Sequence, residues 1–267
     1  METSPSRRTT SPGYPWKTFW VLTVACFFAF AAALPYVYSL YRNLVAREPL
    51  TIPLPMLVAV QLLQSTFVFG GIVALAILLA RKAGIETPIL RAWLYSRHDP
   101  YPRGWLGIPL LWGLAVGVII SLLYFVVFLP LIPAWPVQAE AALPIWKRFL
   151  ICFYGAINIE IVMRLFLLSL VIWLFKKVTR SSASSPAAAM FWTANIIVAL
   201  IYGAAHLSAA KTLMPLTPIV LTAVLLPTGL AALVFGYLTW KRGFEAAMLA
   251  HFASDFIAHV VGPMFLR

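Results

Sequence analysis

The stretch FLICFYGAINIEIVMRLFLLSLVIWLF, residues 149–175, is apolar along almost its whole length. A helix that crosses a membrane needs about 20 predominantly apolar residues, and this stretch exceeds that length. It carries two charged residues, Glu160 and Arg164, each of which costs roughly 2.5–3.5 kcal/mol to insert into lipid. The stretch therefore predicts a transmembrane helix with a polar face that needs a partner or a purpose inside the membrane.

The composition extends this prediction to the whole chain. Of the 267 residues, 62% are hydrophobic and only 10% are charged, whereas soluble domains carry about 25% charged residues. Inside lipid every backbone polar group must be bonded within the protein, so only helices and closed barrels can span the membrane. Because the apolar runs are long and continuous rather than alternating, we predict an all-α, polytopic transmembrane helical bundle.

Seven runs are long enough to serve as spans. They cover residues 18–40, 54–80, 105–131, 149–175, 187–207, 213–240 and 244–265. The sixth run contains Pro215, Pro218 and Pro227, so we expect a kinked or broken helix there. The connection that follows the second run is basic, contains proline and has some amphipathic character.

We divide the chain into three parts on this pattern. Residues 1–17 are polar and rich in Ser, Thr and Pro, and are expected to form a disordered cytoplasmic N-terminus. Residues 18–147 are expected to hold the first three spans and their loops. Residues 148–267 are expected to hold the functional core. Cys26 and Cys152 both lie in apolar runs and are expected to be buried small hydrophobes rather than disulfide partners.

The basic residues predict the orientation of the bundle. The net charge is +12, but the Lys and Arg residues fall between the apolar runs, where they flank spans and meet anionic lipid. Most of them lie on the side that holds the N-terminus, which places that terminus in the cytoplasm. We expect an integral membrane protein of a bacterial plasma membrane, in contact with lipid. This charge pattern argues against nucleic-acid binding.

The fourth and fifth spans each carry polar residues on one helix face. Glu160 and Arg164 are four residues apart, which puts them on the same face. They could form a structural ion pair or part of a functional site. In the fifth span Asn195, Tyr202 and His206 also share a face. Taken alone, His206 is more typical of a packing residue that is hydrogen-bonded.

The seventh span carries the strongest polar signal. His251, Asp255 and His259 follow each other at intervals of four residues, so one face presents imidazole, carboxylate and imidazole. A carboxylate beside a histidine fixes the tautomer and orientation of that histidine. Polar contacts between helices would also explain the pattern, but three ionisable groups in line are costly for packing alone.

If these three helices pack together, they form a polar pocket within the bilayer. Carboxylates and histidines can activate a water molecule, and neighbouring polar groups can stabilise an oxyanion. This chemistry favours hydrolysis of an acyl or peptide bond in the membrane. His206, His251 and Glu160 are also a set that could bind a divalent metal such as zinc. The zinc signature H-E-x-x-H is absent, however, so the sequence leaves the cofactor open.

Three segments resemble, in order, the motifs of the CPBP family of intramembrane proteases, which includes the type II CAAX prenyl proteases and the Abi proteins. IEIVMR (159–164) resembles E-E-x-x-x-R, YGAAH (202–206) resembles F-x-x-x-H, and HFASD (251–255) resembles the last motif, H-x-x-x-N or H-x-x-x-D. The resemblance covers residues 148–260, so residues 148–267 are expected to form a CPBP/Abi-like catalytic core.

The resemblance implies an intramembrane endopeptidase that uses activated water on a membrane-associated or prenylated peptide. The catalytic residues that it implies are Glu160, Arg164, His206, His251 and Asp255. The supporting residues are Tyr202, Asn195 and His259.

One departure from the family pattern bears on the chemistry. The family's first glutamate is thought to activate water together with the histidine of the second motif, and here that position is Ile159. Isoleucine can neither accept a proton nor bind a metal. Glu160 points about 100° away on a helix and does not simply replace it. Asn158 could orient a water molecule without deprotonating it, and Glu140 in the preceding loop is a distant candidate.

Three hypotheses follow from these residues. The first is a protease with an altered site, in which His206 activates water and His251 with Asp255 stabilises the oxyanion. The second is a pseudoprotease that binds a membrane partner or acts as an immunity protein, since Ile159 removes a carboxylate. The third is a proton-coupled transporter, because intramembrane His and Asp residues also form proton relays. Uptake driven by a pH gradient would distinguish the third hypothesis from the other two.

Overall fold

The computed structural model describes residues 14–45, 53–95 and 104–266. Among these residues there is no strand, and seven helices are long and apolar enough to cross a membrane. They are Trp16–Leu40, Leu54–Ala83, Gly107–Leu131, Ile145–Val178, Ala188–Leu213, Pro218–Arg242 and Phe244–Phe265, and we call them the first to seventh spans. The all-α transmembrane bundle predicted from the sequence is therefore confirmed.

Two short helices lie in the described parts of the connections between spans. Pro88–Tyr95 falls in the amphipathic connection after the second span, and Trp135–Ala141 follows the third span. The first of these is fixed to the start of the seventh span, because the Leu90 amide donates to Glu245 Oε1 at 2.9 Å. The Phe244 amide likewise donates to the Glu86 carbonyl at 2.9 Å. The connection after the second span is thus tied to the start of the seventh span.

Two helix starts differ from the sequence prediction. The sixth helix begins at Pro218 rather than at residue 213, and the Thr217 hydroxyl accepts from the Val220 amide at its first turn. Pro218 fits this first turn, where a backbone N–H would be unpaired in any case. Only Pro227 lies inside the helix. The first helix begins at Trp16, two residues before the predicted start at residue 18, and residues 1–13 of the expected disordered terminus lie outside the described residues.

Two further helix bounds matter for the site. The fifth helix runs on to Leu213, beyond the predicted end at residue 207, so His206 lies well inside the span. The fourth span begins at Ile145 rather than at residue 149. Arg148, expected as a flanking charge, is instead within this span and fully buried. It is satisfied in part by the backbone, because its Nη1 donates to the carbonyls of His259 and Val260 at 3.2 and 3.3 Å.

The fourth span is the central element of the bundle. It packs against the first, second, fifth and seventh spans, and its apolar side chains join a large buried cluster that includes Ile161, Leu165 and Phe191. Asn158 crosses to the first span and donates to the Cys26 carbonyl at 3.2 Å. Cys26 and Cys152 are both buried free thiols, as predicted. This packing holds the charged face of the fourth span in the protein interior rather than in lipid.

The backbone near the middle of the bundle departs from regular α-helix. The fourth span is π-helical over Gly155–Ile159 and Ile161–Leu168, and the seventh span is π-helical over Phe256–Val261. Such wide turns are uncommon and frequently occur at functional sites. Gly155 allows these two spans to approach closely, because a Cβ atom there would collide with the Asp255 carboxylate. The irregular turns therefore mark the level at which the polar faces meet.

A buried glutamate–histidine site beside a cavity

Glu160 and Arg164 form an ion pair within the fourth span. Glu160 Oε2 lies 3.3 Å from Arg164 Nε, and both side chains are almost completely buried. The spacing of four residues places the two groups on one face, as the sequence predicted. The pair does not stand alone, because the other carboxylate oxygen of Glu160 contacts the seventh span.

His251 connects the two spans. Its Nδ1 donates to Glu160 Oε1 at 2.7 Å, since a carboxylate can only accept. Its Nε2 lies 3.5 Å from Asp255 Oδ1, one turn further along its own helix. Phe235 of the sixth span stacks on the imidazole at a centroid distance of 4.9 Å. These three contacts fix the position of the imidazole. A catalytic group needs such fixed positioning relative to its substrate.

The charges of this cluster nearly balance. Two carboxylates, Glu160 and Asp255, face one guanidinium, Arg164, so the cluster carries one negative charge when His251 is neutral. A proton on His251 brings the total to zero. Buried charges are tolerated when they are paired and hydrogen-bonded. The arrangement is therefore suited to an imidazole that can hold positive charge.

A cavity of about 420 Å³ lies next to this cluster, between the third, fifth, sixth and seventh spans. Much of its wall is apolar, with residues such as Ile120, Phe125 and Val224. Ionisable and aromatic groups share the lining: Glu140, Tyr202, His206, His251, Asp255 and His259. A largely apolar pocket with a few convergent polar groups is the typical form of a substrate site.

His206 reaches this cavity from the fifth span. Its Nδ1 lies 3.0 Å from the Tyr202 carbonyl, which can only accept, so Nδ1 carries a hydrogen. In the neutral ring this leaves Nε2 with a lone pair. The Tyr202 ring also packs edge-on against the His206 ring at 4.4 Å. Backbone and ring together fix both the tautomer and the orientation of His206.

Not every residue singled out in the sequence reaches the cavity. Asn195 donates through Nδ2 to the Leu233 carbonyl at 3.0 Å, where it ties the fifth span to the sixth. Glu160 is buried behind His251 and is not part of the lining. Ile159 packs against the apolar cluster of the bundle and is also outside the cavity. The position of the family's first glutamate is therefore occupied by a packing residue.

Glu140 is more important in the structure than its place in the sequence suggested. It comes from the short helix Trp135–Ala141, and its Oε1 accepts from His259 Nδ1 at 2.6 Å and from the Tyr36 hydroxyl at 2.8 Å. Both Glu140 and His259 line the cavity. The spacing of His259 from Asp255 marked the histidine as a candidate, but no local pattern linked it to a residue so far away in sequence.

The described residues do not fit a zinc site. Among them there is no group of three or more His, Cys, Asp or Glu side chains placed to hold a metal ion. Of the three suggested ligands, Glu160 already contacts Arg164 and His251 with its two oxygens. A catalytic zinc ordinarily takes three protein ligands. We therefore derive no step that passes through a metal.

Fold and site together define an integral membrane protein of the helical-bundle class, with an ionisable cluster and a cavity inside the bundle. Residues 141–257 match the family model described as "Type II CAAX prenyl endopeptidase Rce1-like". This match is consistent with the CPBP family, and it confirms the resemblance seen in the three motifs. No curated protein and no solved structure is significantly similar to the chain.

Proposed function

We propose that the protein is an intramembrane endopeptidase that hydrolyses a peptide bond in a membrane-associated or lipid-modified substrate by means of activated water. The observation that carries this proposal is the contact of Glu160 with His251, which aims a fixed imidazole at the cavity that His206 also lines. The family match supports a CAAX-type protease in general terms. The assignment of individual roles rests on the geometry.

We assign the activation of water to His206. The neutral ring has its lone pair on Nε2, which can take a proton from water as the oxygen attacks the peptide carbonyl. His251 and Asp255 stand at the cavity wall, and His251 is the group that we assign to the developing oxyanion. Glu160 and Arg164 act behind it, because they hold His251 in place without reaching the cavity.

The walls of the cavity suggest the class of substrate. They are mainly apolar and lie within the membrane, so they favour a transmembrane segment or a peptide that carries a prenyl-type lipid. The proposed setting is a bacterial plasma membrane, with the N-terminus on the cytoplasmic side. The distribution of Lys and Arg between the two sides supports this orientation.

The test is cleavage by the purified protein in proteoliposomes. We expect release of a fluorescent fragment from a peptide with a farnesylated C-terminal cysteine, or from a single-span membrane peptide without a lipid. His206→Ala should lower the rate by about 10²–10⁴, because it removes the proposed general base. Thr193→Ala is the matched control in the same helix, since the Thr193 hydroxyl donates to the carbonyl of Ala189 within that helix. Unchanged cleavage by His206→Ala would refute the assignment.

A second candidate function is supported by one specific observation. Ile159 packs in the apolar cluster where the family has a glutamate, and Glu160 does not reach the cavity in its place. A protein with this arrangement could bind a membrane partner without hydrolysing it. The pseudoprotease would be inert as wild type and could gain activity in Ile159→Glu, with Ile159→Leu as the control. Clear turnover by the wild type excludes this alternative.

A further inference from the structure

We propose that His259, held by Glu140, is the general acid that protonates the leaving amine of the cleaved peptide bond. This inference rests on the proposed endopeptidase function and adds a residue to it. Neither residue belongs to the family's three motifs, and residues 141–257, which match the family model, include neither of them. The pair is therefore a feature of this chain that the family match does not account for.

The pair is built from parts of the molecule that are distant in sequence. His259 Nδ1 donates to Glu140 Oε1 at 2.6 Å, and the Tyr36 hydroxyl donates to the same oxygen at 2.8 Å. The backbone at His259 is fixed as well, because Arg148 Nη1 donates to the carbonyls of His259 and Val260. Contacts from the first and fourth spans thus set the position of both partners.

The position of the pair suits proton exchange. Both residues line the cavity that also contains His206 and His251. The side chain of His259 is 32% exposed and that of Glu140 is 15% exposed. A group that must give up a proton and regain it in each cycle needs this contact with water. The buried pair of Glu160 and His251 lacks such exposure.

The partners of His206 and His259 give these two cavity histidines different roles. His206 faces a neutral backbone carbonyl, which fixes one tautomer and leaves Nε2 as an acceptor. His259 faces a carboxylate, which pairs with the imidazolium form. An imidazolium can donate to Glu140 through Nδ1 and still has a second N–H, on Nε2, to donate. When two titratable groups in one site have different surroundings, one can act as the acid and the other as the base.

The proposed step balances in atoms and charge. The water oxygen forms a bond to the peptide carbonyl carbon while its proton passes to His206 Nε2. The carbon–nitrogen bond then breaks as His259 Nε2–H delivers a proton to the leaving nitrogen. The products are a carboxylic acid and an amine, and the proton on His206 returns to His259 through water in the cavity. No oxidant, reductant or further reactant is needed.

The experiment compares two substrates that differ only in the leaving group. One is a membrane peptide with an ordinary amide at the cleavage site, and the other carries a p-nitrophenyl ester there. Amide cleavage needs protonation of the nitrogen, whereas p-nitrophenolate leaves without it. We expect His259→Gln to lower kcat on the amide by about 10²–10³, within the range for loss of a general acid, and to leave the ester rate within about threefold.

Glu140→Gln and two tyrosine variants complete the design. Glu140→Gln removes the charge of the carboxylate but can keep a hydrogen bond, so we expect a loss of about tenfold on the amide alone. Tyr36→Phe removes the hydroxyl that donates to Glu140. Tyr38→Phe is its control, because the Tyr38 hydroxyl donates to Gln61 outside the cavity. An equal loss on amide and ester, or no loss on the amide, overturns the role of His259. Wild-type protein that cleaves neither substrate overturns the proposed function itself.

Discussion

Among the residues that the structure describes, two glutamate–histidine pairs use the same chemistry in different surroundings. Glu160 and His251 are joined at 2.7 Å, and Glu140 and His259 at 2.6 Å. In the first pair the side chains are 0% and 5% exposed, whereas in the second they are 15% and 32% exposed. Similar contacts therefore sit in an enclosed setting and in one that water can enter.

The difference shows that burial and further partners decide what such a pair can do. Glu160 has both oxygens engaged, one by His251 and the other by Arg164, so it holds neighbouring groups in place. In the second pair Glu140 is held by Tyr36 and His259 and faces the cavity. The enclosed pair, Glu160 and His251, is suited to positioning. The open pair, Glu140 and His259, is suited to proton transfer.

Removal of Arg164, the further partner of Glu160, should destabilise the protein and give the largest effect. Arg164→Met leaves Glu160 buried with one cationic partner fewer, and loss of one member of a buried ion pair costs about 3–5 kcal/mol. We expect a lower midpoint of thermal unfolding in detergent and a lower yield of folded protein. Lys211→Met, which removes an exposed cation from the fifth span, is the control. Equal stability of the two variants would show that Glu160 does not need Arg164.

Crowding of the enclosed pair should have an intermediate effect. In Gly155→Ala the new methyl group meets the Asp255 carboxylate and the His251 ring, and overpacking of this kind costs about 1–3 kcal/mol. Gly71→Ala is the matched control, since a Cβ there meets nothing within 4 Å. The midpoint of thermal unfolding and the cleavage rate should both fall for Gly155→Ala and not for Gly71→Ala. If Gly71→Ala loses as much, the close approach at Gly155 has no special importance.

Loss of one hydrogen bond to the open pair should have the smallest effect. Tyr36→Phe removes the donor to Glu140, and a single hydrogen bond contributes about 0.5–1.5 kcal/mol. We expect a small fall in the unfolding midpoint with the fold intact. Tyr38→Phe should change stability by a similar amount without altering cleavage. A loss of stability in Tyr36→Phe as large as that in Arg164→Met would contradict the distinction between the two pairs.

The parts of the site that were predictable from sequence are those that lie within one helix. The spacing of four residues placed Glu160 beside Arg164 and His251 beside Asp255, and the structure shows both contacts. The seven spans were predictable for a related reason, because lipid requires long apolar runs whatever the tertiary packing. Local rules of this kind do not depend on which helices become neighbours.

The contacts between helices were not available from the same rules. Glu160 and His251 are 91 residues apart, and Glu140 and His259 are 119 apart, so both pairs depend on the arrangement of the bundle. The prediction that Arg148 flanks the fourth span was wrong for a similar reason. Beside Lys147 it has the sequence pattern of an interfacial charge. It is buried because it binds carbonyls in a wide turn of the seventh span, which no pattern near Arg148 indicates.

The location of the cavity gives the proposed reaction a direction across the membrane. Its lining includes Leu40 and Leu213, near the far ends of the first and fifth spans, and Val137 from the helix after the third. Successive spans run in opposite directions, so odd-numbered spans all end on the face away from the N-terminus. Hydrolysis there would be vectorial: a polar fragment would be released into the compartment opposite the N-terminus, while an apolar fragment would remain in the bilayer.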